Sequence, residues 1–193
     1  MVKLVSTDTE VEIPSDVTLT LSDDKKVTVK GKKGTIVRDF AHAKAVQITH
    51  IGNMLYFHAD FPRKRQIALV GTLQNHVLNM FKGVQEGYVY KMKIVYSHFP
   101  ITVEPPKKGK TAILIKNFIG ERAPRTTHTI GDVVVKANKE EVIVSGVDKE
   151  AVGQTCANIQ KLCKIKDKDK RVFKDGVYVF EKSLGETQFW TIK

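Results

Sequence analysis

The chain has 193 residues, and its 32 Lys plus Arg against 21 Asp plus Glu leave a formal net charge of +11. With 41% hydrophobic and 27% charged residues the composition is that of a folded chain, long enough for one large domain or two of roughly 90 to 100 residues. No uncharged apolar run reaches the ~18 residues of a membrane-spanning helix, Met1 to Glu10 lacks the regions of a secretory signal, and two cysteines are too few for a disulfide-stapled scaffold. A cytoplasmic protein that meets an acidic partner is the expectation.

In chain order, strand-like stretches at Val17 to Leu21, Lys26 to Lys30, Thr35 to Phe40, Ala45 to Ile51 and Met54 to Ala59 alternate with turns. Gly31-Lys32-Lys33-Gly34 separates two β-branched runs, which makes it a hairpin turn. KH domains clamp nucleic acid with a basic Gly-x-x-Gly loop, but there the loop joins two helices. Pro62 opens a long helix. Along it Ile67, Val70, Leu73, Val77, Met80 and Val84 recur at three- and four-residue spacing and form one apolar stripe. Gly87 follows, then a strand from Tyr88 to Val95.

The second half repeats the plan. Ala112 to Lys116, Val133 to Ala137 and Val142 to Ser145 are strand-like, Asp148 is a helix N-cap, and Val152, Cys156, Ile159 and Cys163 mark the inner stripe of a second helix. Asp175-Gly176 turns the chain into a strand from Val177 to Phe180. Overlaying the helices sets Val70-Gly71 on Val152-Gly153, and Val77 and Met80 on Ile159 and Leu162. Shared order and shared residue type indicate an internal duplication. The expected fold is α+β, two tandem duplicated domains, each an antiparallel-dominated sheet with one packed helix. They take residues 1–97 and 98–182, with a linker near His98-Phe99-Pro100 and a tail at 183–193.

The charge is local. Residues 25–44 carry +6, residues 105–125 carry +5 and residues 161–174 carry +5, which leaves the other 138 residues at a net −5. Such segments are the electrostatic footprint of a polyanion site, because each neutralised phosphate releases condensed counterions. Pro105-Pro106-Lys107-Lys108-Gly109-Lys110 has the punctuation of a projecting loop; Lys116, Arg122 and Arg125 follow it. The run Lys161, Lys164, Lys166, Lys168, Lys170, Arg171 and Lys174 begins on the second helix and leaves it into a loop. Aromatic residues are too sparse for a base-stacking platform of the RRM or OB type. Folded RNA recognised by shape and phosphate fits better, with Lys32 and Lys33 at the hairpin tip as a further contact.

Catalytic chemistry is not indicated. Cys156 and Cys163 stand ~10 Å apart along the helix axis, beyond disulfide reach, and are expected as buried reduced thiols. His42, His50, His58, His76, His98 and His128 show neither the helical pairing nor the Cys neighbours of a zinc site. No nucleophile elbow, Walker loop or dinucleotide fingerprint occurs. No catalytic residue, metal or cofactor is therefore expected, and a free-standing regulatory RNA-binding module is the alternative to a structural RNA-binding protein.

Several strings carry a resemblance. Gly31-Lys32-Lys33-Gly34-Thr35-Ile36-Val37-Arg38-Asp39-Phe40, Met80-Phe81-Lys82-Gly83-Val84, Gly87 to Lys93 and Ser97-His98-Phe99-Pro100-Ile101 are similar to stretches of the ribosomal protein L-six family, called L-nine in eukaryotic cytosolic ribosomes. Lys166 to Val179, with its Arg171-Val172-Phe173-Lys174-Asp175-Gly176 core, resembles the family's C-terminal signature. The resemblance runs from about Ile13 to Lys182 and is nearest to the eukaryotic and archaeal branch. Val37 stands where the family has a basic residue, and Lys161 where the signature has Gln. The resemblance implies two domains of one duplicated fold, no enzymatic activity, and a place in the cytoplasmic large ribosomal subunit. It further implies ribosomal RNA near the sarcin-ricin loop as partner, gripped mainly by the second domain at 98–182, with neighbouring proteins at the stalk base, translational GTPases docking close by, and no membrane. On this chain the RNA contacts would be Lys107, Lys108, Lys110, Lys116, Arg122, Arg125, Lys164, Lys166, Lys168, Lys170, Arg171 and Lys174, with Lys32 and Lys33.

Overall fold

Alternation of apolar and polar residues decides which face of each strand is covered: Val27 and Val29, and Leu55, Phe57 and Ala59, are at most 1% exposed because every second side chain points to the core. The computed structural model describes residues 5–107, 109–166, 168–169 and 171–192, and the chain divides into two units between Glu86 and Gly87.

In the first unit, β1 (Ser6–Glu12), β2 (Thr18–Leu21), β3 (Lys26–Gly31), β4 (Gly34–Asp39), β5 (Gln47–Ile51) and β6 (Met54–Asp60) precede α1 (Lys64–Gln85). They form two antiparallel three-stranded sheets, β1-β6-β5 and β2-β3-β4. The stripe of α1, with Val70, Leu73, Val77, Met80 and Val84 buried, packs on β1, β3, β4 and β6 and so joins both sheets.

The second unit contains β7 (Tyr88–Val95), β8 (Thr102–Glu104), β9 (Ala112–Lys116), a 3-10 turn (Phe118–Gly120), β10 (Arg125–His128), β11 (Val133–Ala137), β12 (Glu141–Gly146), α2 (Lys149–Leu162), β13 (Gly176–Leu184) and β14 (Thr187–Thr191). Its sheets are β10-β9-β8 and β11-β12-β7-β13-β14. Asp148 caps α2 by accepting the Glu150 N–H at 2.9 Å, as its residue type predicts. Val152, Cys156 and Ile159 face the unit's own strands.

The duplication is written in the strand order. The first unit's β1-β6-β5 ladder and β2-β3-β4 meander reappear as β7-β12-β11 and β8-β9-β10, each followed by its helix. The hairpin β13-β14 is an addition on the free side of β7.

Two expectations change. Each unit carries two sheets rather than one. The second unit opens at Gly87, not near residue 98: Tyr88, Tyr90, Met92 and Ile94 are at most 6% exposed, and β7 lies between β12 and β13. Pro100 marks a loop inside that unit, and a turn signal cannot say whether the strands on its two sides share a core. Residues 183–192, which the sequence left without an assignment, hold the end of β13 and all of β14, with Lys182 paired to Trp190. The described helices include none long and apolar enough to cross a membrane.

Candidate nucleic-acid interface

Residues 163–175 join α2 to β13. Cys163 and Ile165 are buried while Lys164 and Lys166 are exposed, so alternate side chains nail the backbone to the core and lift the cations off it. Asp169 then folds a turn: its carboxylate accepts the Arg171 N–H and its carbonyl the Phe173 N–H, both at 2.9 Å. Phe173 is half-buried against the second unit's core. The Lys168 ammonium stands 4.8 Å from its ring centroid, a cation–π distance.

The loop closes on Asp175, which is 4% exposed and accepts the Ser97 N–H with its carboxylate. A Cβ on Gly176 would come within 2.8 Å of the Tyr178 ring, so glycine lets that ring lie on the turn while its hydroxyl donates to the Asp175 carbonyl at 3.4 Å. Phe173, Asp175 and Gly176 of the signature string therefore each have a mechanical task. Lys164, Lys166, Lys168, Arg171 and Lys174 all remain exposed on the loop they hold.

Arg125, expected from the sequence to contact phosphate, has partners within the fold. It is bidentate to Glu121, with Nε and Nη2 donating at 2.8 and 2.6 Å, and Nη1 donates to the Leu162 carbonyl at the end of α2 and to the Lys164 carbonyl. The guanidinium also lies 4.4 Å from the Phe118 ring centroid. It thus caps the last carbonyl of α2 and, through the Lys164 carbonyl, ties β10 to the root of the basic loop. The hydrogen bonds from Arg125 hold the Glu121 carboxyl below its usual range, with a further contribution from Lys166.

Lys116 pairs with Glu104 at 2.6 Å and, with exposed Arg122, lies at the Arg125 end of the three-stranded sheet, where Arg125 is opposite Ile115. Lys107 and Lys110, both exposed, sit in the β8–β9 loop at the other end, roughly 14 Å away by the strand rise. The structure therefore brings Lys116, Arg122, Lys164 and Lys166 into one neighbourhood and sets the Lys107–Lys110 loop apart. Lys108 and Lys170 lie outside the described residues.

In the first unit, Lys32 and Lys33 occupy the β3–β4 hairpin tip as read from the sequence. The Lys33 N–H donates to the Val84 carbonyl at 2.8 Å, and a Cβ on Gly31 would lie 2.7 Å from Val84 Cγ2. The tip is thus seated on the last turn of α1. Lys32 is 3.4 Å from Asp16 across solvent, a weak pair. One lysine of this basic window works inside the fold: Lys25, at φ 58°, donates to the carbonyls of Ala43 and Val46 at 3.1 and 2.8 Å.

Sequence reasoning passed over Asp175 and Glu121, which position the site. Asp-Gly signals only a turn, and Glu121-x-x-x-Arg125 shows a helical spacing without a helix. Both thiols are free and buried, and burial pushes Cys156 up to about 12 and Cys163 to about 11. His58 lies between Asp8 and Asp60, whose hydrogen bonds raise its pKa. No group of three metal-ligating side chains converges among the described residues.

Fold and site define a duplicated α+β scaffold that presents cations on an anchored loop. The family model for ribosomal protein L6 matches residues 13–87 and 100–176. Each segment starts just after the first strand of a unit and ends beyond its helix. Relatives named "Large ribosomal subunit protein uL6" are similar over nearly the whole chain. That of Staphylothermus marinus is 46% identical, covering 94% of this chain and 97% of its own. That of Desulfurococcus amylolyticus is 45% identical, with coverage of 90% and 93%, and that of Aeropyrum pernix 44% identical, with 95% and 99%. The chain belongs to the ribosomal protein L6 family, in its archaeal and eukaryotic branch. It is a structural ribosomal protein and not an enzyme.

Proposed function

We propose that this protein is built into the large ribosomal subunit, where it binds ribosomal RNA near the sarcin-ricin loop and the stalk base. There it holds the RNA in one geometry for docking translational GTPases. The observation that carries the reading is the loop 163–175, whose Cys163, Ile165, Phe173 and Asp175 are fastened to the core while Lys164, Lys166, Lys168, Arg171 and Lys174 stay exposed. Cations on a fixed backbone lose less conformational entropy on meeting phosphate than cations on a mobile one. Lys116 and Arg122 extend the same surface, and Arg125 and Lys170 complete the set of phosphate contacts. Lys107, Lys108 and Lys110, and Lys32 and Lys33, make separate contacts with RNA or stand beside neighbouring proteins at the stalk base.

Two measurements test this. In a sucrose gradient at native salt the protein is expected to sediment almost wholly with large subunits; a substantial free pool would favour the regulatory RNA-binding module. Replacing Lys164, Lys166 and Lys174 with Gln is expected to lower the log–log salt slope of RNA binding by ~0.7 to 0.9 for each phosphate contact removed. An unchanged slope would show that the loop is merely solvated.

A further inference from the structure

Beside the basic loop lies a depression of about 800 Å³ that phosphate contacts alone leave unused. Ile165, Phe173 and Tyr178 give it an apolar, aromatic lining, and Lys161, Lys164 and Lys174 border it with cations. Its size falls within the roughly 300 to 1,000 Å³ of sites that hold small organic groups. Its walls are fixed: Ile165 is 8% exposed, Phe173 packs on the core, and the Tyr178 ring rests against Gly176. Gln160, on α2, adds an amide that both donates and accepts.

We propose that this pocket receives one unstacked base of the RNA, with the flanking phosphates on the bordering lysines; the inference rests on the RNA-binding function proposed above. A base splayed out of a helix presents a flat apolar face and hydrogen-bonding edges, and it carries a phosphate on either side. Aromatic walls, one amide and a cationic border match those three features together. An apolar protein side chain would satisfy only the lining and leave the ammonium groups unmatched, and no carboxylate lines the pocket among the described residues. The Phe173 ring already holds the Lys168 ammonium over one face. A base taking that face displaces the ammonium, which is then free to pair with phosphate.

The test titrates the full-length protein with two RNA hairpins of identical stem and loop, one carrying a single bulged adenosine and one fully paired. Stacking of one base on an aromatic side chain corresponds to a preference of at least about fivefold for the bulged hairpin. Phe173→Leu keeps an apolar anchor, and Tyr178→Ala alters a side chain at the surface, 39% exposed. Each is expected to reduce the preference below about twofold, because each removes one aromatic wall while the bordering cations stay in the chain. Circular dichroism confirms folding, and Tyr178→Ala decides alone should the other variant unfold. Equal binding of both hairpins by the unaltered protein, or a full preference kept by a folded variant, overturns the pocket assignment and leaves the phosphate-binding loop standing. Failure to bind either hairpin overturns both.

Discussion

Cys163 shows how one position can be read two ways until its surroundings are known. A thiol beside lysines is the setting of a reactive cysteine, yet this side chain is 4% exposed and burial raises its pKa to about 11. Cys156, 1% exposed, is raised to about 12. Both thiols therefore keep their protons in the folded chain between about pH 9 and 11, while the unfolded chain has lost them. The folded state binds more protons in that window, so the stabilisation is complete below about pH 9 and declines as pH rises through the folded values. Each thiol is expected to contribute a loss of up to ~1.4 kcal/mol per pH unit. Urea unfolding of the protein and of Cys163→Ala at several pH values from 8 to 11 isolates the effect, since lysine titration is common to both. The stability gap between them should narrow as pH rises; parallel curves would refute the assignment.

At the scale of the element, the loop between α2 and β13 owes its shape to groups outside it. Ser97 holds Asp175 from 78 residues away, and Arg125 reaches the last carbonyl of α2 from β10. A guanidinium can serve Glu121 and two carbonyls at once because its donors are set in a planar fork; an ammonium cannot. Arg125→Lys is therefore expected to cost about 1–3 kcal/mol in stability through lost hydrogen bonds to partly buried groups. It preserves the charge, so the salt slope of RNA binding should hold. Thermal unfolding and a salt titration of the same variant check both halves. Unaltered stability together with weakened RNA binding would show that Arg125 acts chiefly as a phosphate contact.

At the scale of the whole molecule, the duplication explains where the chain can be divided. The repeated unit begins with a strand, β1 in one copy and β7 in the other, and that strand pairs with the strand preceding the helix. In the second copy β7 also pairs with β13. A fragment of residues 87–193 is expected to unfold cooperatively with dispersed amide resonances. One of residues 98–193 should not, because removing β7 strips both its neighbours of a ladder and opens the core at Tyr90 and Met92. Cooperative unfolding of the shorter fragment would place the boundary where the turn residues first suggested.

The sequence alone determined what depends on neighbours along the chain. The two helical stripes, the Asp148 cap, the hairpin around Lys32 and Lys33, and the alternating strands all follow from spacing and residue type within a few positions. The order of these elements revealed the duplication, and the three basic windows revealed a polyanion partner, because charge is a property of the residue itself. Tertiary structure decided what depends on distant partners. Strand β7 carries the same alternation whichever unit it joins, and only its ladders to β12 and β13 settle the matter. Arg125 and Lys164 are equally cationic in sequence; Glu121 and the open end of α2 claim the first, and water surrounds the second. Short strands such as β8 and β10 lack the length to declare themselves, and they exist because the β9 ladder satisfies their backbone groups.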